Sequence, residues 1–248
     1  MSRYLLEFSY DGGSFSGYQI QPNAITVQSE LENKLSILAQ TKVEIIGSSR
    51  TDAGVHANQQ FAHFDVHSIP EQDWVYRLNR MLPESLAVHG ITQVKDDFHA
   101  RFDAISRTYH YYIARKKLPL RSHDSYWFEV PLDIHSMNEA CQILFQYIDF
   151  ECFSKVKTDV FTFDCEIKFA KWDQKDDILQ FTIQANRFLR GMVRAIVGTL
   201  LEVGLGKLTQ SDLHEIIQSK DRNRAGRAVP AHGLHLMQVE YSKPNNGE

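Results

Sequence analysis

Val43-Glu44-Ile45-Ile46, then Gly47-Ser48-Ser49-Arg50-Thr51-Asp52-Ala53-Gly54-Val55-His56-Ala57, then Gln60-Phe61-Ala62-His63-Phe64-Asp65: this run decides how the chain is read. The apolar start and the alternating end both have the pattern of short strands. The segment between them is therefore a loop. It sets a cation, a hydroxyl and a carboxylate on consecutive residues, Arg50, Thr51 and Asp52, with Gly54 two positions after the acid. Glycine permits the sharp turn that presents Asp52 outward, and Arg50 favours its ionised form. Turn chemistry accounts equally for such an Asp, because Asx side chains in loops often bond their own backbone.

Working outward, residues 3–10 read as a first strand, broken by Asp11-Gly12-Gly13. Thr26 caps a predicted helix with Val27, Leu31, Leu35 and Leu38 on one face. After the Asp52 loop, Ser68-Ile69-Pro70 introduces a short helix with Trp74 and Leu78 inward, and Leu86-Ala87-Val88 begins another strand. The first half thus reads β-α-β-β-α-β. In the second half, Arg107-Thr108-Tyr109-His110-Tyr111-Tyr112-Ile113 alternates as a strand. Ser136-Met137-Asn138-Glu139 has the form of a capping box before a helix with Ala140, Cys141, Leu144 and Ile148 inward. Strands follow near 165–172 and 178–185, then an apolar helix from Phe188 to Val203, a helix capped by Thr209, and a last strand at 234–241. This order repeats the first half with one helix added. It predicts an α+β fold of two split βαβ (ferredoxin-like) halves, 1–105 and 106–242, forming a mixed, mainly antiparallel sheet with a central cleft. The tail, 243–248, reads as disordered.

Composition narrows the function. A 248-residue chain with 43% hydrophobic and 23% charged residues is ordinary for a soluble globular protein. No apolar run is long enough to span a bilayer, and the N-terminus reads as a strand rather than a signal peptide. Cys141, Cys152 and Cys165 lack metal or redox spacing, which points to reduced thiols and a cytoplasmic location. None of the eleven His completes a zinc pattern, and neither a dinucleotide fingerprint nor a Walker loop occurs, so no metal and no cofactor is expected. A net charge of −4 argues against an indiscriminate nucleic-acid binder. Cations nevertheless cluster. Lys220, Arg222, Arg224 and Arg227 stand against Asp221 alone, and Arg115, Lys116, Lys117 and Arg121 form a second group. Arg187, Arg190 and Arg194 fall at i, i+3 and i+7, which on a helix is one face. Arg107, Tyr109 and Tyr111 share one face of a strand.

Several of these stretches resemble a known family. Arg-Thr-Asp-Ala-Gly-Val-His-Ala at 50–57, Tyr-Asp-Gly at 10–12, Thr-Val-Gln at 26–28, Phe-His-Ala-Arg-Phe at 98–102, Arg-x-Tyr at 107–109, Met-Val-Arg at 192–194 and Gly-Leu-His-Leu at 233–236 are similar to motifs of the TruA family of tRNA pseudouridine synthases. The resemblance spans residues 4 to 241 and implies the pseudouridine synthase fold. It implies Asp52 as the catalytic residue, Arg194 as its buried charge partner, and Tyr109 as the ring that stacks on the target uracil. Arg50, Arg101, Arg107, Arg190, Arg222, Arg224 and Arg227 become candidate RNA contacts. The implied substrate is uridine 38, 39 or 40 in the anticodon stem-loop of tRNA, gripped by a homodimer. Two departures stand out, Tyr18 where the family usually has Trp and Ser48-Ser49 where Gly is frequent before Arg50. The alternatives are a non-catalytic RNA-binding or tRNA-chaperone protein on the same fold, and a metal-free hydrolase using Asp52.

Overall fold

The computed structural model describes residues 1–67, 74–156 and 161–242. By compactness the chain forms two units, one of 1–105 with 236–248 and one of 106–235.

In the first unit, β1 (Ser2–Tyr10) leads through a loop to α1 (Val27–Ala39). Thr26 caps α1 by accepting from the Ser29 N–H, and the Ser29 side chain answers it, a device that contributes about 1 kcal/mol. Val27, Leu31 and Leu35 are buried, while Leu38 lies only half-buried near the end. β2 is just Ile46–Gly47, and the rest of the predicted 43–46 strand is irregular. β3 (His56–Val66) runs antiparallel to β1, as does β4 (Leu86–Gln93). α2 (Trp74–Met81) buries Trp74 and Leu78; the proposed start signal at 68–70 lies outside the described residues.

The second unit contains most of β5 (Ala104–Ala114), the two-residue β6 (Tyr126–Trp127), α3 (Ile134–Leu144), β7 (Ile167–Lys175), β8 (Ile178–Ala185), α4 (Met192–Gly204) and α5 (Gln210–Ser219). β8 pairs antiparallel with both β5 and β7, and β6 joins β5 in parallel. Helices and mainly antiparallel strands make this the α+β fold expected. The buried face of β5, carrying Arg107, Tyr109, Tyr111 and Ile113, meets the buried residues Ala185, Ile183, Phe181 and Leu179 of β8. On the opposite faces, Thr108, His110 and Tyr112 of β5 and Ile178, Gln180, Thr182 and Gln184 of β8 are half-buried.

Three local expectations change. The cap of α3 is Asp133, which accepts from the Ser136 N–H, so the helix begins before the proposed capping box, and Ile148 lies beyond its end and is exposed. α4 begins at Met192, not Phe188. Gly191 sits at φ +72, a left-handed backbone that ends any helix entering it, so Arg187 and Arg190 precede the helix and do not share a face with Arg194. Finally, β9 (Leu234–Tyr241) groups from Leu236 onward with the first unit. Its residues are tied there: the Val239 N–H donates to Gln59 Oε1, the Tyr241 hydroxyl to the Ala100 carbonyl, and the Tyr241 ring meets Phe61. The 243–248 tail lies outside the described residues.

Candidate active site

The Asp52 loop is held from several directions, all within the first unit. Gln60 is fully buried on the same strand parity as Ala62 and Phe64. Its amide donates to the Ser49 carbonyl at 3.0 Å and accepts from the Ser48 hydroxyl at 3.1 Å. The Tyr10 hydroxyl lies 2.8 Å from Thr51 Oγ1, and the Tyr18 N–H donates to the Thr51 carbonyl. Past the acid, the Val55 N–H closes a turn onto the Asp52 carbonyl, and Gly54 takes φ +80 to allow it. His56, buried, accepts from the Gly12 N–H and has Asp11 Oδ1 3.0 Å from the same ring nitrogen. Asp52 itself is half-buried at the tip of this braced turn. The buried polar side chains Ser48, Thr51, His56 and Gln60 all have hydrogen-bond partners, a network that favours one conformation of the turn.

Tyr18 is buried and fills the core against Phe8 rather than offering a face for stacking. Among the described residues its hydroxyl has no hydrogen-bond partner, and burial pushes its pKa well above the usual phenol value.

Next to this loop, Phe98-His99-Ala100-Arg101-Phe102 forms a tight turn. The His99 N–H donates to Asp103 Oδ2 at 2.7 Å, and His99 Nδ1 accepts from the N–H groups of Arg101 and Phe102. His63, 3% exposed, accepts the Ala100 N–H at 3.0 Å. Burial foremost, then Arg3 and His99, pull the His63 pKa down to about 4, which keeps that nitrogen an acceptor at neutral pH. Arg50 and Arg101 are both exposed and line one recess of about 250 Å³ together with Tyr18, His99 and Phe102. Sequence reading missed Gln60, His63 and the exposure of Phe102. Only Gln60 had a signal, a polar residue at buried parity in β3.

In the second unit, Arg107 and Tyr109 are 6% and 8% exposed on one face of β5. Arg107 donates to the Asn186 carbonyl at 2.7 Å, and the Tyr109 ring meets Phe188 edge-on at 5.2 Å. The segment before α4 is thereby fastened to the end of β5. Arg190 is exposed there, with its carbonyl accepting from the Lys155 N–H. Arg194, half-buried in the first turn of α4, donates through Nε to the Val229 carbonyl at 2.7 Å and bears electrostatically on Tyr111.

A family model described as tRNA pseudouridine synthase matches residues 8–103 and 140–242, covering both Asp52 and Arg194. The chain belongs to the tRNA pseudouridine synthase family. Curated relatives named tRNA pseudouridine synthase A agree. One from Parabacteroides distasonis is 52% identical over 97% of this chain and 96% of its own length. Those from Bacteroides fragilis and Bacillus subtilis are 49% and 42% identical, over 97% and 94% of this chain and 97% and 96% of theirs. Arg107 and Tyr109 fall in the interval between the two segments of the family model, which the whole-length relatives span.

The basic segment at 220–227 is less available than its composition suggests. Lys220 pairs with Asp149, Arg224 with Glu215 at 3.1 Å, and Arg222 donates to the carbonyls of Ala225 and Gly226. Arg227 is exposed with no ion pair among the described residues. The segment is fastened to α4 through the Gly226 N–H, which donates to Thr199 Oγ1. No helix among the described residues is long and apolar enough to cross a membrane.

Proposed function

We propose that this protein isomerises uridine to pseudouridine in tRNA, at positions 38, 39 and 40 of the anticodon stem-loop. The observation that carries the reading is the family match through both units, with the Asp52 loop and the Met192-Val193-Arg194 segment inside it. The reaction breaks the N1–C1′ bond of the target uridine, turns the detached ring, forms a C5–C1′ bond and moves one proton from C5 to N1. Nothing is gained or lost overall, so no cofactor is required.

In this reading the Asp52 carboxylate assists cleavage of the glycosidic bond, and the braced turn around it fixes its position before the substrate arrives. Arg194 acts as the positively charged partner of that carboxylate. Tyr109 offers its ring to the uracil, which must leave the RNA stack to be reached. The exposed Arg50, Arg101 and Arg190 contact the RNA and Arg227 lies along its phosphates, while the buried Arg107 and the engaged Arg222 and Arg224 hold in place the segments that carry those contacts. The enzyme works in the cytoplasm as a homodimer, a two-fold arrangement that brings two copies of each basic segment to one tRNA.

Chemical marking and sequencing of pseudouridine in RNA from cells with and without this gene tests the substrate directly. Loss of the marks at positions 38 to 40, restored by the wild-type gene and not by Asp52→Asn, is the expected result. Unchanged marks at those positions overturn the site assignment. Light scattering that finds a fully active monomer overturns the dimer.

A further inference from the structure

The recess beside the Asp52 loop has a use beyond bearing two arginines. Phe102 is 73% exposed, which leaves most of a large ring open to solvent beside the two arginines. It is also held there. Its own N–H and that of Arg101 both bond His99 Nδ1, His99 and Asp103 close the turn on each other, and His63 anchors Ala100 from below. The His99 ring lies 4.2 Å from the Phe102 ring, and the Arg101 guanidinium sits 5.6 Å from the Phe102 centroid. An exposed ring carried on a fastened turn, with a second ring packed against it, has less conformational freedom to lose on contact with a partner.

The surroundings say which partner. Arg50 and Arg101 line the recess, the amides of Gln19 and Gln28 lie among them, and no carboxylate does so among the described residues. This is a local excess of positive charge on a chain of net −4. An aromatic face flanked by guanidinium groups matches an unpaired nucleobase with its phosphates, since every base has a π-face and stacking is tolerant of sequence. We propose that this recess is a stacking subsite for one unpaired base of the RNA substrate, a nucleotide other than the uridine that is isomerised. Phe102 is the platform, and Arg50 and Arg101 hold the adjoining backbone. The proposal rests on the tRNA reading above. Phe102 is here a positioning residue that registers the RNA against the Asp52 loop.

The test measures binding of an unmodified tRNA transcript to the full chain carrying Asp52→Asn, so that no turnover intervenes. Adding Phe102→Ala is expected to weaken binding roughly 5- to 150-fold, the range produced by loss of one base–aromatic stack, with the melting temperature unchanged. Phe102→Trp restores the affinity and Phe102→Leu does not. The slope of log affinity against log salt stays the same for Phe102→Ala and falls by about one unit for Arg101→Gln. Equal affinity of the Phe102→Ala chain and its parent overturns the proposal, as does rescue by leucine as complete as by tryptophan. If wild-type chain makes no pseudouridine while binding still depends on an aromatic at 102, the subsite stands and the catalytic reading falls.

Discussion

The Asp52 loop and the 220–227 segment look alike in sequence, each a polar, glycine-containing stretch rich in charge, yet they differ in where their bonds go. Around Asp52 the bracing comes from neutral groups, namely Gln60, the Tyr10 hydroxyl and backbone amides, and the exposed Arg50 opens onto a recess. In 220–227 three of the four cations, Lys220, Arg222 and Arg224, are themselves engaged. The formal +3 of that segment falls to +1 once Asp149 and Glu215 are counted as partners of Lys220 and Arg224. Charge written in a sequence is therefore not charge presented to a ligand. What decides is whether an acid elsewhere in the fold lies within reach.

This contrast yields graded expectations. The largest concerns acid. The His63 pKa is lowered in the folded protein, from about 6.5 to about 4, so its contribution to stability is complete above pH 6.5 and is lost as pH falls through that window. Chemical denaturation should show stability declining by about 3 kcal/mol between these limits. His63→Gln, which retains an acceptor, should flatten the decline. A profile that does not change with the substitution detaches His63 from the support of the 98–102 turn.

Second comes Gln60. Gln60→Leu fits the space but leaves the Ser48 hydroxyl and Ser49 carbonyl without their partner, and should cost about 1–3 kcal/mol. Because those bonds lead into the Asp52 loop, turnover should drop more than tRNA affinity does. A loss of affinity alone would show that the network serves binding rather than the reacting group.

The smallest effects distinguish the arginines of the second unit. Arg227→Gln should lower the salt slope of tRNA binding by about one unit, whereas Arg224→Gln, already paired with Glu215, should change it by much less. Equal slopes for the two would mean that the Arg224 pair opens on binding.

How far the sequence could carry these distinctions follows from the range of the forces involved. Thr26 and Thr209 were readable as caps because a capping bond spans three residues. The order of strands and helices was readable from apolar periodicity, and so was the shared face of Arg107, Tyr109 and Tyr111. The start of α4 was misread because apolar residues continue through Phe188 and Leu189, while one left-handed glycine, Gly191, sets the boundary. Lys220 looked available because its partner, Asp149, lies 71 residues earlier in the chain. The setting of Phe102 was hidden for a related reason: the turn that carries it is bonded at Ala100 by His63, which reaches it from β3. Local rules carry no information about contacts of that span.

The central claim is that this chain forms pseudouridine with Asp52 as the reacting carboxylate. Its most direct test uses a tRNA transcript tritiated at C5 of uridine, incubated with purified wild-type and Asp52→Asn chains. Forming the C5–C1′ bond displaces the C5 hydrogen, so each turnover releases tritium to water. The wild-type chain should release it, and Asp52→Asn should bind the same tRNA and release none above background, because an amide neither carries the charge nor acts as a nucleophile. Tritium release by Asp52→Asn at the wild-type rate would contradict the account.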